Sequence, residues 1–239
     1  MKRDHMPVVI ILAGGLGRRL GSLISCVPKP MAEINGKPFL AYLFKFLTGQ
    51  DITEIVLSVG YKSEVIKEHF RDKYDDIAIK YATEDQPLGT GGAIRNALRF
   101  VTDEHVFVMN GDTFFPIRFA TLFDFHKSKS SRTTLALKFM KNIERYGTVT
   151  INGEGRVTGF DGNRYHEAGF INGGIYLISR EVFDGIELPD NFSFESDFLK
   201  KYYRQKTIYG LPFNDYFIDI GVPHDYERAK TELKRFEYR

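Results

Sequence analysis

Three kinds of residue recur where a chain could handle a polyanion: the cations Arg19 and Lys29, the carboxylates Asp112 and Asp219, and backbone-exposing glycines at Gly14, Gly15 and Gly17. Three glycines within four residues let the chain take positive φ and turn its amides toward one point, where a phosphate fits and a side chain would not. Arg19 adds a planar fork of donors suited to phosphate oxygens, and Lys29 adds a point charge held between Pro28 and Pro30. Together these read as a grip for a triphosphate. Asp112 follows Asn110-Gly111 at the end of an apolar run, and Asp219 interrupts another such run just before Gly221. Two carboxylates meeting at one cleft would suit Mg²⁺, which keeps several waters and bridges phosphate oxygens. Each feature has a plainer alternative. The loop can be a Gly-rich turn with surface cations, the acids can cap helices or close turns, and the stretch Glu84 to Gly92 can be an ordinary helix start.

Other chemistries find less support. A P-loop needs Gly-Lys-Ser/Thr, but Gly17 is followed by Arg18-Arg19 and Gly36-Lys37 by Pro38. A dinucleotide fingerprint needs a third glycine where this chain has Leu20. The six histidines have no metal-ligand spacing, no Ser/His/Asp or Cys/His arrangement stands out, and Cys26 carries no local sign of activation.

The elements that must position these groups alternate. Val8 to Ala13 is a short apolar run bounded by glycines, hence a buried strand, and Pro38 to Leu47 is a helix that is apolar all round. A strand Glu54–Gly60, a helix Ser63–Tyr74, a strand Ile77–Glu84, a helix Gly89–Val101 and a strand His105–Asn110 follow. This order predicts a Rossmann-like three-layer α/β/α fold with a mostly parallel central sheet, whose post-strand loops gather at one edge where ligands bind. The glycine loop, Thr83 to Gly92 and Asp112 should then face one cleft. From Thr133 the texture turns to alternation, with Asn152-Gly153-Glu154-Gly155 closing an appended antiparallel hairpin. Phe170–Ile178 reads as a strand whose Gly173-Gly174 suggests close approach of a ligand or backbone. Ser193–Gln205 reads as helix, Ile208–Phe213 as extended, Tyr216–Gly221 as a short strand, and Pro223 to about Phe236 as a closing helix.

At 239 residues and 43% apolar, the chain can bury a substantial core, and it reads as one domain, 1–132 forming one half and 133–239 the other. A net charge of +2 gives no general attraction to nucleic acid or membrane, so the expected partners are small molecules. One cysteine fits a reducing compartment, and the opening residues offer no leader or membrane span, which reads as cytoplasmic.

The motifs together resemble a known family. Leu12-Ala13-Gly14-Gly15-Leu16-Gly17-x-Arg19-Leu20 with Pro28-Lys29-Pro30-Met31, then Pro87-Leu88-Gly89-Thr90-Gly91-Gly92-Ala93, Asn110-Gly111-Asp112 and Phe217 to Pro223, are similar to the sugar-phosphate nucleotidylyltransferases. The subgroup most resembled is the short guanylyltransferases acting on D-glycero-α-D-manno-heptose 1-phosphate, followed by mannose-1-phosphate guanylyltransferases. The C-terminal β-helix that many relatives carry is not expected here. The resemblance implies attack of a sugar 1-phosphate oxygen on the α-phosphorus of a nucleoside triphosphate, with pyrophosphate leaving in line, in service of surface polysaccharide synthesis. It assigns Arg19 and Lys29 to catalysis. Leu12, Ala13, Gly14, Gly15, Gly17, Glu84, Pro87, Gly89, Thr90 and Asp112 fall to the nucleotide, Gly147, Asn172 and Gly173 to the sugar, and Asp112 and Asp219 to Mg²⁺. The expected partners are GTP and a sugar 1-phosphate, with no nucleic acid and no membrane, and a homodimer is left open.

The base follows from the resemblance plus hydrogen-bond chemistry. Glu84 matches the family's base-reading position, and a carboxylate only accepts, which suits the adjacent N1–H and amine of guanine better than thymine or uracil. One departure stands out. Many relatives carry Glu-Lys-Pro where this chain has Asp161-Gly162-Asn163, so the lysine on the sugar phosphate is missing, and Arg164 or Lys29 takes its place or the acceptor binds differently. Two rivals remain: a metal-dependent glycosyltransferase, which does not need the loop with Arg19 and Lys29, and a regulatory module that binds nucleotide without turnover.

Overall fold

The computed structural model describes residues 6–15, 27–162, 164–205 and 207–236. In chain order the elements are β1 (Val9–Leu12), a 3-10 turn at Lys29–Met31, β2 (Glu33–Ile34), β3 (Lys37–Pro38), α1 (Phe39–Thr48), β4 (Glu54–Val59), α2 (Ser63–Phe70), β5 (Lys73–Tyr74), β6 (Ile77–Thr83), α3 (Gly89–Ala97) and β7 (His105–Asn110). Then come β8 (Thr113–Phe114), α4 (Phe119–Ser128), β9 (Thr133–Ile143), β10 (Thr148–Ile151), β11 (Val157–Phe160), β12 (His166–Ser179), a π-helical turn at Phe194–Leu199, α5 (Lys200–Tyr202), β13 (Ile208–Phe213), β14 (Ile218–Asp219) and α6 (Pro223–Glu232).

A mixed ten-stranded sheet organises these elements, with the main path β11-β10-β12-β7-β1-β4-β6-β5 and with β9 joining β12 to β13. Its centre is parallel: β1 lies between β4 and β7, and β4 continues to β6. The second half is mostly antiparallel, the β10–β11 hairpin included. Alternation along β1 sends Val9 and Ile11 to one face and Ile10 to the other, as a strand covered on both sides requires. On the first face they meet Phe39 and Leu43 of α1, Phe119 and Leu122 of α4 and Tyr226 of α6. On the second they meet Ile94 and Ala97 of α3 with Phe194 and Phe198. The layering is therefore helix, sheet, helix.

Several elements differ from the sequence expectation. The helix expected over 63–74 stops at Phe70, because Arg71 takes a left-handed φ of 55° and the chain turns back as β5 beside β6. The helix expected over 193–205 is a wide π turn that stacks Phe194 on Phe198 before a single turn of α-helix. The short strand near 218 pairs only with β8, apart from the main sheet. Patterning assigned nothing between Thr113 and Arg132, where the structure builds α4. Its N-cap, Arg118, makes no side-chain cap bond, although Phe119, Leu122, Phe123 and His126 keep helical spacing on the buried face. Among the described residues no helix is long and apolar enough to cross a membrane.

Candidate active site

The C-terminal ends of β1, β4, β6 and β7 open on one cavity of about 610 Å³. Leu12, Gly14, Gly15, Lys29, Ser58, Glu84, Pro87, Gly89, Thr90 and Asp112 all line it. Ala13 is buried beside it, its N–H bonded to Ser58 O at 2.8 Å. Gly17 and Arg19 lie outside the described residues.

Lys29 sits at one end of this cavity, in the 3-10 turn that Pro28 and Pro30 shape, and is only 7% exposed. Its Nζ donates to Asp112 Oδ2 and stands 3.9 Å from Asp219 Oδ1. What brings two acids so distant in sequence together is the β8–β14 pair. Thr113 faces Asp219 in register, and Ile220 N donates to Asp112 O at 3.0 Å. Asp219 is held further by Gly221 N, which donates to Oδ1 at 2.6 Å, and by the Tyr146 hydroxyl, which donates to Oδ2 at 3.3 Å. A Cβ on Gly221 would stand 2.7 Å from Asp219 Oδ1, so only glycine lets that carboxylate fold back onto its own loop. Burial and then the Asp112 charge raise the pKa of Asp219, against Lys29, the Gly221 amide and Arg145. Burial and the Asp219 charge likewise raise the Tyr146 hydroxyl, keeping it a neutral donor.

Glu84 occupies the far wall. Ser58 Oγ donates to its Oε1 at 3.0 Å and Leu88 N to its Oε2 at 3.2 Å, which fixes the carboxylate between β4 and the start of α3. Glu84 lines the cavity, and among the described residues each of its oxygens accepts one hydrogen bond, which leaves acceptor capacity.

The three residues expected at a sugar lie together but beyond this cavity's lining. Gly147 immediately precedes β10, whose Thr148 pairs with Ile171, and Asn172 and Gly173 follow on β12. Asn172 Nδ2 donates to the Tyr176 hydroxyl at 2.7 Å and its Oδ1 accepts from Gly174 N at 3.1 Å, leaving one donor and one acceptor. The close approach at the paired glycines comes from within the protein. A Cβ on Gly173 would meet the Phe115 ring at 2.5 Å, and Gly174, at φ +72°, faces Asn110.

Sequence reasoning missed Ser58, Arg145, Tyr146 and a part-buried polar chain through Tyr176 and Glu195 that ends on Thr90. In that chain the Tyr176 hydroxyl donates to Glu195 Oε1 at 2.9 Å, and Thr90 Oγ1 donates to Glu195 Oε2 at 2.8 Å. No local pattern marks these residues, since their partners lie far along the chain. Among the described residues no group of three or more His, Cys, Asp or Glu could hold a metal ion. The Asp112 and Asp219 carboxylates are hard oxygen donors of the kind a divalent cation takes when phosphates and water complete its shell.

Known proteins resemble this chain over nearly its whole length. A family model described as nucleotidyl transferase matches residues 8–235. The chain is 49% identical over 227 residues to the D-glycero-α-D-manno-heptose 1-phosphate guanylyltransferase of Aneurinibacillus thermoaerophilus, covering 95% of this chain and 98% of that one. It is also 49% identical over 217 residues to the protein of the same name from Campylobacter jejuni, covering 91% and 96%. The crystal structure of HddC from Yersinia pseudotuberculosis complexed with GMP-PN matches with a TM-score of 0.85 at 35% identity, covering 95% of this chain and all of that one. With the fold, the loop motifs and a family match over nearly its whole length in agreement, the chain belongs to the nucleotidyl transferase family.

Proposed function

We propose that this chain transfers GMP from GTP to a sugar 1-phosphate, D-glycero-α-D-manno-heptose 1-phosphate, giving the GDP-sugar and pyrophosphate. The observation that carries the reading is the convergence of Lys29, Asp112 and Asp219 at one end of a cavity whose far wall holds Glu84. Identity of 49% along 95% of the chain to a heptose 1-phosphate guanylyltransferase supports the choice of base and sugar.

The attacking group is a phosphate oxygen, already an anion at neutral pH, so no protein base is required and the chain's task is alignment and charge neutralisation. Lys29, buried and already oriented by two carboxylates, is set to meet charge on the reacting phosphates. Arg19 is assigned to the β and γ phosphates and the leaving pyrophosphate, from its place in the motif. The open lone pairs of Glu84 would accept from guanine N1–H and the 2-amino group, while Ser58 and the Leu88 amide hold the carboxylate in place. Asp112 and Asp219 are the residues that would hold Mg²⁺, which when bound supplies neutralisation of phosphate charge. The half from residue 133 onward, with Gly147 and Asn172, would receive the sugar. Turnover in the cytoplasm, as the single cysteine suggests, would feed surface polysaccharide synthesis.

Pyrophosphate release with GTP, UTP, dTTP and ATP against a panel of sugar 1-phosphates in the presence of Mg²⁺ tests this. The expected result is preference for GTP and for the heptose 1-phosphate over mannose 1-phosphate. Preference for UTP or dTTP would overturn the role given to Glu84, and a mannose preference would overturn the sugar assignment.

A further inference from the structure

A sugar 1-phosphate must bring its negative charge to a place that already holds Asp112 and Asp219, and this chain lacks the lysine that many relatives carry after β11. Three cations are in question. Lys29 is engaged by both acids. Arg164 donates through Nη2 to Asp161 Oδ2, and its side chain is 70% exposed. Arg145 differs from both.

Arg145 lies in the connection from β9 to β10, two residues before Gly147. Its Nη2 donates to the Tyr146 hydroxyl at 2.7 Å, and that hydroxyl donates in turn to Asp219 Oδ2. The same Nη2 donates to Asp225 Oδ2 at 2.5 Å. Asp225, 8% exposed, is held from its other side by Arg228 Nη1 at 2.7 Å. The two arginines around this aspartate are used differently. Arg228 engages all three of its nitrogens, with Nε and Nη2 on Glu232. Arg145 is fastened by Nη2 alone, and among the described residues its Nε and Nη1 donate to nothing. A guanidinium fixed at one corner, with its remaining N–H groups open and a third of the side chain exposed, is preorganised for an oxyanion.

We propose that Arg145 holds the phosphate of the acceptor sugar 1-phosphate, in place of the missing lysine, with Asp225 and Tyr146 as its positioning residues. This rests on the guanylyl-transfer reading above. It puts the guanidinium one hydroxyl away from Asp219, through Tyr146, and two residues from Gly147, where the sugar is expected.

The test is steady-state kinetics of the full chain and of Arg145→Ala, Arg145→Lys and Arg228→Ala, with GTP and the sugar 1-phosphate varied in turn and melting temperatures measured alongside. Arg145→Ala should raise the KM for the sugar 1-phosphate on the order of 10- to 100-fold while the KM for GTP stays within about twofold. Arg145→Lys should recover part of that loss, and Arg228→Ala, which touches the same aspartate, should leave both constants near the parent's. If Arg145→Ala does not fold, Arg145→Lys decides, since loss of the fork geometry should still raise only the acceptor KM. An unchanged acceptor KM, or equal rises for both substrates, overturns the assignment while the guanylyl-transfer reading stands. A parent chain with no turnover on GTP and any sugar 1-phosphate overturns both.

Discussion

Lys29 and Asp112, 83 residues apart in sequence, are bonded side chain to side chain, with the ammonium turned also toward Asp219. One buried cation thus serves two carboxylates. Replacing Lys29 by Met should remove about 2 kcal/mol of stability, less than for a fully buried pair because the Asp112 side chain is 30% exposed. Turnover should fall on the order of 10²-fold or more. The two acids would then face each other with less compensation, so Mg²⁺ should raise the melting temperature of Lys29→Met more than that of the parent. Equal metal-induced shifts would argue that the two acids do not share a cation site.

Glu84 gives a prediction about the base. Glu84→Gln keeps the shape and replaces one acceptor by a donor, which should lower kcat/KM for GTP by about 10- to 100-fold. Inosine triphosphate, which lacks the 2-amino group, should suffer less. Competition between the two triphosphates measures this directly, and equal losses would remove Glu84 from base recognition.

Gly111 separates β7 from Asp112, and a Cβ there would stand 2.6 Å from Leu12 O, the same oxygen that accepts from Gly111 N at 3.0 Å. Backbone in the centre of the sheet cannot step aside as a side-chain end can. Gly111→Ala should cost about 1–3 kcal/mol in denaturant unfolding. Gly153→Ala, which would meet nothing within 4 Å, should change stability by less than about 0.5 kcal/mol.

A pH dependence follows from His126, fully buried, with Nδ1 against Thr134 Oγ1 at 2.8 Å and its ring 4.9 Å from that of His105. Burial first, and the His105 charge second, push its pKa down to about 3 from an ordinary value of 6.5. The folded chain therefore keeps it neutral where the unfolded chain protonates it. Its contribution is intact above about pH 6.5 and falls as the pH drops toward 3, by up to about 1.4 kcal/mol per unit. Denaturant unfolding at about pH 7 and pH 5 should display this slope, and His126→Gln should flatten it.

Contacts set by local pattern were legible in the residues alone. The continuous apolar runs of β1 and β7, the turn at Asn152 to Gly155 and the glycine-rich start of α3 each depend on near neighbours. What was not legible depends on register between distant strands. Nothing around Tyr146 announces that its hydroxyl reaches Asp219, because that contact exists only once β14 has paired with β8. The same holds for Ser58 and Glu84, which meet because β4 and β6 run side by side. The early end of α2 has a different cause, a single left-handed residue at Arg71, and arginine is not a residue from which such a turn is read.

β12 carries a mechanical consequence. Its last five residues pair with β7, the outer strand of the parallel region, while the segments before and alongside pair with β10 and β9. One uninterrupted stretch of backbone is thus stitched into both halves of the molecule. The two halves should melt in a single cooperative transition, and the slowest amides to exchange with solvent should lie at Ile175 to Ile178, where neither half can open without tearing the other.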